Sequence, residues 1–99
     1  MRRITYSGTV FLTGNRIAEA FVAYARALGR RGLADTVSLP ALTSSGERHM
    51  IQVLVGPASQ LVSEPWDDWD DLSREIEDAE KVEQIEHLTS RLSDSDENA

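Results

Sequence analysis

From about Gly14 to Arg31 the chain carries the start, body and stop signals of one amphipathic helix. Thr13 suits the N-cap position, with Leu12 before it and Ile17 after it placed to form a hydrophobic staple. Ile17, Phe21, Tyr24 and Leu28 recur at helical spacing and form one apolar stripe, while Arg16, Glu19, Ala23, Arg26 and Arg30 trace a mostly polar face. Gly32 fits the left-handed residue of a Schellman cap, Leu33 can touch Leu28, and Arg30 and Arg31 suit the negative end of the helix dipole. A helix with a single apolar stripe needs a surface to cover, and the flanking segments supply one.

Those segments are β-prone. Ile4-Thr5-Tyr6 and Val10-Phe11-Leu12 flank Ser7-Gly8, which is either a tight hairpin or a glycine bulge in one bent strand. Thr36–Leu42 alternates, with Val37, Leu39 and Ala41 on one side, and Pro40 lacks a backbone donor, so this strand is expected at a sheet edge. A loop containing Gly46 leads into Arg48–Val55, where Ile51, Val53 and Val55 face one way and Met50 and Leu54 the other. That strand asks for cover on both faces. Gly56-Pro57 ends it, and Gln60–Ser63 is a short strand or a helical turn.

The charge is segregated. Residues 1–35 hold six Arg against Glu19 and Asp35, a net of +4, and residues 64–99 hold fourteen acids against Arg74, Lys81 and Arg91, a net of −11. From Trp66 onward the pattern is helical, supported by Asp70/Arg74 and Glu77/Lys81 at the favourable four-residue spacing. Its apolar residues occupy two faces: Trp69, Leu72, Ile76 and Ala79 on one, Val82, Ile85, Leu88 and Leu92 on nearly the opposite one. Two arrangements satisfy this. Either two helical segments meet near Glu80-Lys81 and fold back, or one long arm contacts its own domain, including Met50 and Leu54, with one set and another chain with the second.

No residue pattern names a chemistry. The chain has no Cys, which removes disulfides and thiolate chemistry. His49 lies beside a turn at a strand end, and His87 has only Glu83 at ligand spacing. Asp67, Asp68, Asp70 and Asp71 lack the glycine and spacing of a calcium loop and read as the acidic start of a helix. Gly29-Arg30-Arg31-Gly32 closes a helix, whereas a phosphate-binding loop opens one. A nucleic-acid surface built on Arg16, Arg26, Arg30 and Arg31, helped by Arg2 and Arg3, is opposed by a pI near 4.7 and by an acidic tail that competes for the same arginines. There is no apolar run of membrane-spanning length and no signal-peptide pattern, so a cytoplasmic location is expected. The excess of Arg over Lys fits a GC-rich bacterial gene.

The expectation is therefore an α+β protein: a small, mainly antiparallel sheet, one amphipathic helix on a face, and an acidic C-terminal helical arm. Residues 1–63 form the core domain, 64–92 the arm and 93–99 a frayed acidic tail. No catalytic residue, metal or cofactor is assigned. The expected function is a non-catalytic protein-binding or self-associating module, with a homodimer as the first partner, through Trp66, Trp69, Val82, Ile85, Leu88 and Leu92. The alternatives are an acidic-arm regulator or subunit that masks a basic protein, and a nucleic-acid binder autoinhibited by its arm.

Overall fold

The structure, a computed structural model, describes residues 1–66 and 75–97, with side chains as far as Leu92. In chain order the elements are β1 (Arg2–Tyr6), β2 (Thr9–Thr13), α1 (Asn15–Arg31), β3 (Asp35–Thr43), β4 (Arg48–Val55), β5 (Leu61–Pro65) and α2 (Ala79–Glu97). The strands form one antiparallel sheet in the order β4-β3-β2-β1-β5. The fold is α+β. The hairpin alternative holds at Ser7-Gly8, where both residues have positive φ (49° and 82°), as a two-residue turn between twisted strands requires.

One face of the sheet is apolar and covered. Ile4, Phe11, Val37, Leu39, Ala41, Val53 and Val55 meet Ile17, Phe21, Tyr24 and Leu28 of α1 in a single core. The helix ends as expected: Gly32 is left-handed (φ 66°), the Leu33 N–H donates to Leu28 O (3.0 Å) and the Gly32 N–H to Gly29 O (3.2 Å). Its start differs. Thr13 belongs to β2, fully buried, and its hydroxyl donates to Pro40 O (2.7 Å), so the N-cap is Gly14, with no side-chain cap of its own. The cap comes from sixty residues away, where Glu75 Oε2 accepts the Asn15 N–H (2.5 Å) and Oε1 takes the Met1 ammonium (2.6 Å). Burial raises the pKa of the Glu75 carboxyl, but these two hydrogen bonds and the ammonium charge outweigh it and hold the group below its usual value.

Pro40 does not mark an edge. β3 is interior, yet β2 pairs with it only at Phe11↔Thr43 and Leu12↔Leu42. Because Pro40 O points to the β2 side, its donorless nitrogen does too, beyond the point where β2 has turned away into α1. The arm also departs from expectation. Glu75–Asp78 is not helical, and α2 starts behind Asp78, which accepts the Lys81 N–H on its side chain (3.0 Å) and the Val82 N–H on its carbonyl (3.0 Å). α2 packs on α1, and Met50 and Leu54 stay uncovered, 53% and 63% exposed. The helix continues past the expected boundary at Ser93 to Glu97.

Candidate binding cleft

The short contact between β2 and β3 splits the sheet into two offset halves. On one side of the seam the β1–β2 tip runs past the β3–β4 turn; on the other, β4 curls until Gly56–Gln60 returns the chain to β5 beside Tyr6. A cleft of about 1610 Å³ lies between the halves, walled by Tyr6 and Phe11, by Ile51 and Val53, and by Val22 and Ala25 of α1. Strand alternation makes it apolar, since Phe11, Ile51 and Val53 share the inward parity of the core. Val22, Ala25, Ile51 and Tyr6 are only half-buried, so this part of the inner face is open to solvent.

The lining includes a cluster of hydroxyls. The Tyr6 hydroxyl donates to Leu54 O and meets Ser59 Oγ (3.0 Å), which accepts the Gly56 N–H (2.8 Å). Among the lining residues only Tyr6 and Arg26 are ionisable, and no carboxylate or imidazole is present. The lining therefore offers hydrogen-bonding groups and one cation.

The chain matches no protein-family model, no curated protein and no solved structure.

Of the candidate site residues singled out from the sequence, Arg26 lines the cleft and the candidate metal-ligating and partner-binding residues lie elsewhere. His49 is exposed opposite Ala41 near the start of β4, and His87 and Glu83 are exposed on α2. Among the described residues no three His, Asp or Glu stand together as metal ligands. The aspartates at 67, 68, 70 and 71, together with Trp69, Leu72 and Arg74, fall outside the described residues. Trp66 is half-buried, its ring 5.1 Å from the Arg3 guanidinium, which also pairs with Glu64 (2.7 Å). Val82 and Ile85 are each 2% exposed and Leu92 packs beside them, so this apolar set is covered by α1 of its own chain; only Leu88 stays on the rim. Among the described residues, Arg16, Arg26 and Arg30 of α1 have no ion-pair partner, and Arg31 donates to Leu92 O (3.3 Å).

Sequence reasoning missed the cleft, Tyr6 and Ser59. Tyr6 shares parity with Ile4, which signals an inward side chain, but its partners lie 48 and 53 residues away and carry no local signature.

Proposed function

We propose that this chain is a non-catalytic binding module that self-associates edge to edge through β4. The observation that carries the reading is the state of the two sheet edges. On β5, the Ser63 carbonyl and hydroxyl are engaged by Arg2, and the strand ends at Pro65. β4 has no such protection at its centre: it is eight residues long, without Pro or Lys, and carries exposed Met50.

The backbone parity of β4 follows from two hydrogen bonds. Pro40 O points away from β4, so the Pro40↔Met50 pair exchanges no bonds and the Met50 N–H and C=O face outward. Leu54 O likewise accepts from Tyr6 on the outer side. Even-numbered residues of β4 therefore present the outer edge, and with Leu54 occupied, Met50 and Gln52 remain at its centre. A second copy fits antiparallel with Met50 opposite its counterpart and Gln52 opposite Arg48, which places no like charges together and keeps the apolar faces continuous.

Proline substitution tests this with its own control. Gln52→Pro removes an outward donor and should give a folded monomer by sedimentation, whereas Val53→Pro removes an inward donor and should unfold the β3–β4 hairpin. A wild-type chain that sediments as a monomer at high micromolar concentration, or a Gln52→Pro chain that keeps the dimer, refutes the edge. A second reading, capture of a basic protein by the arm, is favoured by the exposure of Glu80, Glu83 and Glu86 on α2. The two separate by salt: arm capture weakens as ionic strength rises, and edge pairing persists.

A further inference from the structure

We infer that the cleft between the two halves of the sheet binds a small amphipathic carboxylate, its apolar chain among Phe11, Val22, Ile51 and Val53 and its carboxylate on Arg26. The inference does not rest on self-association: Gln52 and Leu54 of the β4 edge also line the cleft, but Arg26, on which the inference turns, belongs to α1.

Three observations converge. The walls are apolar and partly wetted, so an apolar chain entering the cleft removes water from surface the protein cannot cover by itself. The Tyr6–Ser59–Leu54 cluster of the lining has polar atoms that already satisfy one another, so it offers nothing further to a charged group. The lining carries one fixed charge, Arg26, which is exposed on α1 and has no ion-pair partner among the described residues. A guanidinium presents paired donors that match a carboxylate, and the absence of any acid from the lining leaves that charge uncompensated. A cationic amphiphile would meet only repulsion there, and a neutral one would leave Arg26 unused.

The test uses the full chain and three probes of one chain length: decanoate, decanol and decyltrimethylammonium, each below its micellar concentration, titrated by calorimetry and mapped by amide chemical shifts. Decanoate should bind saturably, one per chain, with shifts at Phe11, Val22, Ile51 and Val53, and more tightly than the other two. Arg26→Gln should weaken decanoate about tenfold and leave decanol unchanged. Ala25→Trp, which fills the cleft from the helix side, should abolish binding of both while the chain still melts cooperatively. Equal affinity for all three probes, decanoate binding indifferent to Arg26→Gln, or shifts confined to residues outside the lining, such as His49 and Met50, would each overturn the assignment, as would no saturable decanoate binding at all.

Discussion

Gly14 is a glycine for want of room. Its backbone (φ −65°, ψ 153°) suits any residue, but a β-carbon there would lie 1.7 Å from the carbonyl oxygen of Ile76. Gly14→Ala must therefore push back the Glu75-Ile76 strap and with it the carboxylate that caps α1. The expected loss is about 2 kcal/mol or more, read by urea unfolding. Gly29, in the same helix with open space around it, is the control, and alanine there should stabilise slightly. Stability unchanged by Gly14→Ala would unseat the strap. Tyr24 sets a limit at the other end of α1, where its hydroxyl donates to Asp35 (2.5 Å). Burial, then that hydrogen bond and the Asp35 charge, push the phenol up from 10.0 to about 12. Between those values the folded chain keeps a proton that the unfolded chain has released, so stability is full below about pH 10 and declines as pH rises towards 12. Tyr24→Phe should remove a decline of roughly 1–2 kcal/mol over that interval; equal alkaline slopes in the two proteins would refute the coupling.

Among the elements, α1 was legible almost residue by residue because its stripe and its Schellman closure are local. Gly32 and Leu33 need only Leu28 and Gly29 to satisfy them. Its start was misread for the opposite reason. Thr13 carries a capping side chain, but sheet burial claims it first, and the residue that replaces it is Glu75. α2 was half legible: the stripe of Val82, Ile85 and Leu92 was read, but not the surface it covers, because periodicity identifies a buried face without naming its neighbour. The packing of α2 on α1 makes a sharp distinction between two adjacent leucine-sized positions. Ile85→Ala should cost about 2–4 kcal/mol, and Leu88→Ala less than about 1. Similar costs for both, measured by thermal unfolding, would mean that the arm does not pack on α1 in this register.

At the scale of the whole molecule, the cleft escaped sequence reasoning because it is a property of the seam. Two residue pairs join β2 to β3, and no sequence feature announces that the pairing stops there. The inward parity of Phe11, Ile51 and Val53 was visible in the alternation; that the sheet parts in front of them was not. Topology carries a further consequence for how the chain is made. β1 pairs on one side with β2, its immediate successor, and on the other with β5, about sixty residues later. At roughly 5–20 residues per second, a ribosome delivers Ser63 on the order of 3–12 s after Ile4, and throughout that delay one side of the first strand has no neighbour. A bare strand in a nascent chain invites pairing with the wrong molecule. Arg2 and Arg3 stand on that strand, and before Ser63 and Glu64 arrive their charge disfavours pairing with a second copy of the same strand.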